Sequence, residues 1–291
     1  MKTFIKSFFA AALFVLASSS AMAAACTTDG SGNVTDSSGT CSISASSFAV
    51  TIYEIGLCSS ALTLPTSSAA YSTSSCQVIY SNSSGSQITA GSSATALSGG
   101  TQTIPQAGTY NYGYVVFGNN ISIAGTANFA SSVTGGTALV HTFGSGTSCY
   151  TTAATLTAST LNASSPSNLP FACGGGTAGT ATFTLDNLTV GTTTVNSHLN
   201  ITSSTFSSLG SDTVDVYLLD NTNKLSTSVG ASAKLLGIQT LATPVTIASS
   251  SSSLDVGFTK STGLNVVIST VLGTKYAIVY PSIPNIKISG H

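Results

Sequence analysis

Charged side chains make up only 5% of this 291-residue chain, its seven basic residues are all lysine, and tryptophan is absent. An ordinary soluble protein carries about 25% charged residues, so the clustered Lys and Arg that phosphate neutralisation needs are missing, which argues against nucleic acid as a partner. Between Glu54 and Asp186 no Asp, Glu, Lys or Arg occurs, so the exterior there must be built from Ser, Thr, Asn, Gln and Gly and lacks the charge that keeps neighbours apart.

The chain opens with MKTFIK, a basic start, then SFFAAALFVLA, an apolar run, then Ala21-Met22-Ala23, a small-residue cleavage site. These are the three parts of a secretory signal peptide, with cleavage expected after Ala23. Lipoprotein processing at Cys26 is the alternative; the small residues before it fit, but no Leu stands three positions upstream. The apolar run is too short for a membrane anchor, and no later run reaches spanning length. Removing residues 1–23 leaves five lysines against eight acids.

Export makes the cysteines legible as disulfides. Cys26, Cys41, Cys58, Cys76, Cys149 and Cys173 are even in number. Short intervals favour nearest-neighbour pairing, Cys26 with Cys41, Cys58 with Cys76 and Cys149 with Cys173, each contributing about 3 kcal/mol in the chain-entropy account. No C-x-x-C spacing calls for zinc, and no motif calls for a cofactor.

After the leader, residues 24–47 read as a loose Ser/Thr/Gly-rich segment held by the first disulfide. FAVTIYEIGLC, residues 48–58, alternates Phe48, Val50, Ile52 and Glu54 against Ala49, Thr51, Tyr53 and Ile55, the mark of a strand. CQVIY from Cys76 is the next strand. Residues 108–129 read as a β-hairpin, with arms on either side of a Gly118-Asn119-Asn120 turn. In its first arm Tyr110, Tyr112, Tyr114 and Val116 share one face, and Val115 and Phe117 lie on the other. The small-residue run at 130–136 marks an expected boundary between β-domains at 48–135 and 136–291, a single large β-domain being the alternative. Beyond it, segments starting at Ala181, Val195, Val214, Leu254, Leu264 and Lys275 read as further strands. Only residues 225–238 have the look of a short helix. The expected fold is therefore all-β, an antiparallel β-sandwich or pair of sandwiches with disulfide-tied loops. A solenoid would need a repeat period that the chain lacks, and no series of long lipid-facing strands supports an outer-membrane barrel.

Chemistry-bearing patterns are sparse. Gly174 to Gly179 matches G-x-G-x-x-G without the following helix that phosphate binding needs. His141 and His198 lack a visible triad partner. Glu54, the only glutamate, reads as a hydrogen-bonded strand position, since one carboxylate makes no acid–base pair. Asp212, Asp215 and Asp220, with Asp186 and Asn221, are the calcium candidates, but the EF-hand order is absent and solvated strand ends are the plainer reading. Sequons at Asn33, Asn82, Asn120, Asn162, Asn187 and Asn200 arise readily in so Asn- and Ser-rich a chain.

With no constellation for catalysis, two functions remain. The preferred one is a secreted, non-enzymatic structural subunit of an extracellular or cell-surface assembly such as a fibre, pilus-like filament or surface layer, its copies joined through strand edges. The composition resembles bacterial fimbrial and surface-fibre subunits in a general way. The alternative is a monomeric adhesin or carbohydrate-binding module, with a surface glycan or protein as partner and Tyr110, Tyr112 and Tyr114 as an aromatic strip; hairpin and core packing is the plainer role for those tyrosines.

Overall fold

The computed structural model describes residues 5–8, 25–89, 97, 99–137, 143–157, 170–186, 188–190, 193–195, 198–201, 212–228, 230–248, 254–259, 263–281 and 285–290. Among them the chain is all-β, with strands and no helix. The residues expected to form a helix instead run as an irregular segment into a long strand beginning at Lys234.

One large sheet has nine strands. Its central four are β3 (Ser47–Cys58), β4 (Cys76–Thr89), β6 (Gly108–Ala124) and β16 (Lys234–Ile247). β15 (Thr213–Leu219) and then β14 (His198–Ile201) extend it beyond β16, while the short β5 (Thr101–Gln102) lies outside β4. β11 (Ala181–Thr184) pairs with the far end of β6, and β9 (Ala154–Thr157) runs parallel to β11.

The second sheet has six strands in the order β10 (Phe171–Cys173), β8 (Ser145–Thr151), β7 (Thr126–Gly135), β19 (Thr274–Pro281), β18 (Leu264–Val271) and β2 (Gly39–Ile43). All its pairings are antiparallel except β7 with β19. A small sheet joins β1 (Ile5–Phe8), β20 (Asn285–Gly290) and β17 (Leu254–Thr259), and β12 (Leu188–Val190) pairs with β13 (Thr193–Val195). Apart from β1, the expected signal peptide lies outside the described residues.

β6 is the element that joins this arrangement, and it corrects the hairpin expectation. The chain does not turn at Gly118-Asn119-Asn120; it continues as one strand from Gly108 to Ala124 and bends at Gly125 into β7, passing from the nine-stranded sheet to the six-stranded one. A side chain at Gly125 would put its Cβ 2.2 Å from Leu264 Cδ1, so any larger residue at this crossing would have to displace the buried Leu264. Asn119 sits where β6 changes neighbours. Gly118 faces Lys234 of β16, whereas Asn120 faces Thr184 of β11. The buried Asn119 amide closes that seam, Nδ2 donating to the carbonyls of Ser232 at 2.8 Å and Leu185 at 3.2 Å. An amide can satisfy backbone groups at such a junction, which is why Asn serves here in a strand rather than a turn.

The period-two alternation expected for β6 holds along its whole length. Val115, Phe117, Ile121 and Ile123 enter a continuous apolar core that also takes Phe48, Val50 and Ile52 from β3, Val214, Val216 and Leu218 from β15, Phe129 and Val133 from β7, and Leu264, Val266 and Ile268 from β18. Both large sheets thus feed one core, each fully buried side chain of this size stabilising by about 1.5–3 kcal/mol. Strands from either side of residue 135 share both sheets, β6 pairing with β16, and β7 with β8 and β19. The segment expected to be a loose leader supplies β2 and buries Val34, Cys41 and Ala45, because the sheet needs an edge strand beside β18 and these side chains close the core beneath it.

The cysteines pair as nearest neighbours, Cys26–Cys41, Cys58–Cys76 and Cys149–Cys173. Two of the bridges join positions directly opposite across a ladder, Cys58 with Cys76 between β3 and β4 and Cys149 with Cys173 between β8 and β10. Three disulfides point to an oxidising environment. Among the described residues no helix is long and apolar enough to cross a membrane.

Candidate functional site

The outer face of the nine-stranded sheet carries a second apolar cluster, in which Tyr114 and Val116 of β6 meet Tyr217, Leu219, Leu236 and Ile238. Segment 59–75, closed at its base by the Cys58–Cys76 bridge, folds over this face and contributes Leu62 and Tyr71. It is tied down by the Tyr71 N–H to the Asn223 carbonyl at 3.4 Å and by the Leu225 N–H to the Thr66 carbonyl at 3.0 Å. Tyr110 and Tyr114 are buried and Tyr112 is half-buried, so the three do not make an open aromatic strip. The covering segment packs on Tyr114 and Tyr112, whereas Tyr110 is buried in a separate cluster with Leu57, Leu241, Val245 and Ile247; sequence alternation reveals neither.

Beside this cover a cleft of about 690 Å³ opens, lined by residues of β3, β4, β5 and β16 and the turn at Asn223. Its floor is set by a β-bulge. On β3, Ile52 faces Phe117 and Glu54 faces Val116, so Tyr53 and Glu54 together oppose one step of β6. Ile52 and Ile55 consequently both enter the core, while Tyr53 packs on the outer cluster and lines the cleft with Glu54. Strict alternation had placed Glu54 on the face of Phe48, Val50 and Ile52; the bulge overturns that. The signal was present in the sequence, since the large apolar positions shift from even (Phe48, Val50, Ile52) to odd (Ile55, Leu57) across Tyr53-Glu54.

β4 answers with its own excursion. Ser81 opposes Glu54 and Ser86 opposes Ile52, so residues 82–85 loop out of the ladder. Asn82 holds that loop, its Nδ2 donating to Ser86 Oγ at 2.8 Å, the Gly99 carbonyl at 3.1 Å and the Gly85 carbonyl at 3.2 Å. Gly85 turns with a φ of 75°, and a Cβ there would stand 2.3 Å from Thr51 Cγ2.

The polar groups of the cleft are held in place. Tyr114 Oη donates to Glu54 Oε1 at 2.7 Å. Burial first, and the Glu54 charge second, push the Tyr114 and Tyr71 hydroxyls well above the ordinary tyrosine range, so both keep their protons at any physiological pH. Lys234 Nζ donates to Asn223 Oδ1 at 3.0 Å and stands 4.8 Å from the centre of the Tyr53 ring, a cation–π placement. His198 pairs with Asp215 across β14 and β15, whereas no salt bridge joins Glu54 to Lys234.

The structure keeps the calcium candidates apart. Asp212 accepts from Gln239 Nε2 at 2.6 Å and the Ala242 N–H at 2.8 Å. Asp215 accepts from His198 Nε2 at 2.8 Å and Asn200 Nδ2 at 2.9 Å. Asp220 accepts from the Thr222 and Lys224 N–H groups and the Thr222 hydroxyl, closing a turn. Desolvation raises the Asp220 pKa, but these bonds outweigh it and hold the carboxyl below its usual range. Asp186 is buried and follows Leu185, whose carbonyl the Asn119 amide binds, and Asn221 is an exposed turn residue. Each of the three carboxylates thus has its own local partners, none of them another acid. Among the described residues, the one grouping of three with metal-ligand proximity, Cys26, Asp36 and Cys41, has its two sulfurs joined in a disulfide. His198 stacks on Tyr217, ring centres 4.3 Å apart, as a cross-strand pair. His141, Asn162 and Asn187 lie outside the described residues. The Gly174–Gly179 loop leads from β10 into β11, strand to strand, without the helix that would cradle a phosphate.

Compared with known proteins, the chain matches no family model, no curated protein and no solved structure.

Proposed function

We propose that this chain is an exported, non-enzymatic structural subunit of an extracellular or cell-surface assembly, its signal peptide cleaved and its two large sheets packed as one β-sandwich. The sandwich reading is supported by the single core that draws on both sheets, and export by the three disulfides together with the basic, apolar and small-residue order of the N-terminus.

The observation that carries the assembly reading is the outer edge of β4. This strand from Cys76 to Thr89 contains no charged residue and no proline. Among the described residues, β5 pairs with it at Tyr80 and Ser81 and the Thr103 N–H donates to the Ile79 carbonyl, whereas Gln87 to Thr89 pair with β3 alone. Soluble proteins usually guard such an edge with lysine, proline or a covering element. An unguarded uncharged edge is a template for a strand from another copy, with backbone hydrogen bonds supplying the affinity. Gln87 is exposed on that edge. The test is Gln87→Lys in the mature, oxidised protein: it should keep the wild-type melting temperature and lose assembly, as read by sedimentation. Assembly equal to wild type would remove β4 as the joining edge. The monomeric adhesin remains the second reading, and the cleft beside Glu54 is what favours it.

A further inference from the structure

We infer that the cleft between the Tyr53-Glu54 bulge and the Asn82 loop is a binding site for a neutral saccharide. The inference does not depend on self-assembly, since the cleft would serve a subunit or a monomer alike.

Small-molecule sites of about 300–1,000 Å³ are ordinarily apolar with a few polar groups. This one, at about 690 Å³, reverses the proportion, its wall being mostly hydroxyls, amides and backbone, with the rings of Tyr53 and Tyr71 as the large apolar surfaces. Such a lining suits a ligand with many hydroxyls and an apolar ring face.

Charge narrows the class further. The cleft carries one carboxylate, Glu54, and one ammonium, Lys234, and these balance. Lys234 is held by Asn223 Oδ1 and the Tyr53 ring, and its remaining ammonium hydrogens can donate to a ligand hydroxyl oxygen. Glu54 Oε1 is occupied by Tyr114, whereas Oε2 has no partner among the described residues. An open carboxylate oxygen accepts from a pair of vicinal hydroxyls, and the protonated Tyr71 hydroxyl can both donate and accept. A sugar hydroxyl does both as well, and a ligand of either charge would meet a like-charged group in Glu54 or Lys234.

The site is also built in advance. The bulge fixes Tyr53 and Glu54, the Cys58–Cys76 bridge closes the segment bearing Tyr71, and three hydrogen bonds fix Asn82. Side chains ordered before binding lower its entropic cost.

The test is a glycan array followed by titration calorimetry on mature, oxidised protein. The probes are neutral oligosaccharides of glucose, mannose, galactose and N-acetylglucosamine, their free monosaccharides, and sialylated and sulfated glycans. We expect binding to a neutral oligosaccharide, stronger than to its monosaccharide if the natural source is a surface polymer and equal if it is free sugar. Ser83→Trp, which fills the mouth from an exposed position, and the isosteric Glu54→Gln should each weaken binding by roughly tenfold or more. Ser132→Trp on the exposed side of β7 should leave it unchanged. If Ser83→Trp lowers the melting temperature, Glu54→Gln carries the comparison. Failure of every neutral glycan to bind at millimolar concentration, preference for the charged glycans, or binding indifferent to both cleft substitutions would overturn the inference. None of these outcomes bears on whether filaments form.

Discussion

Replacing Asn119 with alanine separates a strand seam from a surface turn. In a turn at 118–120 the side chain would face water and its loss would cost little. In the structure it is buried, and Asn119→Ala removes Nδ2 from the Ser232 and Leu185 carbonyls. Leu185 keeps the Ser232 hydroxyl as a donor at 2.8 Å, so one carbonyl, that of Ser232, is stranded. Two lost bonds at about 1 kcal/mol each, with a partly buried acceptor left over, give a destabilisation of about 2–3 kcal/mol. At about 2–4 °C per kcal/mol for a chain of this size the melting temperature should fall by roughly 5–10 °C. Asn119→Asp should be worse at neutral pH, because a carboxylate then faces two carbonyl oxygens. Its folded pKa would lie above the ordinary value of about 3.9, the folded state would hold the extra proton, and stability would fall as pH rises from about 4. Urea unfolding of both variants at pH 4 and pH 7, followed by circular dichroism, measures this. Unfolding free energies within about 0.5 kcal/mol of wild type for both variants, or no pH dependence for Asn119→Asp, would refute the seam.

Three further outcomes follow from local geometry. Burial, with Asp215 adding to it, pushes the Tyr217 hydroxyl up to about 12 from an ordinary 10.0. The folded state therefore keeps a proton that the unfolded chain loses, so stability should hold below pH 10 and decline from there toward 12, tracked by tyrosinate absorbance alongside unfolding. Gly85→Ala forces a side chain into a φ of 75° and against Thr51, and should cost about 1–3 kcal/mol in denaturant titration. Leu272, fully exposed at a φ of 49° in the turn between β18 and β19, is strained without packing to offset it; Leu272→Gly should stabilise by about 1 kcal/mol, and a loss of stability would show that the leucine makes a contact worth more than its strain.

Much of the fold was legible because strand alternation and disulfide spacing are local signals. β3, β15, β18 and β19 lie where the apolar residues repeat every second position, and three short cysteine intervals became three bridges. The hairpin failed for a reason also present in the sequence. Val115, Phe117, Ile121 and Ile123 are all odd, so the alternation runs unbroken through Asn119, as one continuous strand requires. The Gly-Asn-Asn turn chemistry points the other way, and the actual bend, at Gly125, depends on the approach of Leu264, which only the folded chain reveals. The cleft was half legible. The parity slip at Tyr53-Glu54 announces a bulge, but nothing local brings Lys234 over Tyr53 or Asn82 beside Gly99, since those meetings depend on strand order. The covering of Tyr114 by segment 59–75 belongs to the same class.

The central claim is self-assembly, and size-exclusion chromatography with negative-stain electron microscopy on the mature, oxidised protein tests it most directly. The account predicts concentration-dependent growth into filaments or ordered sheets, abolished by Gln87→Lys. A monomer that persists at high concentration and mild ionic strength would contradict it.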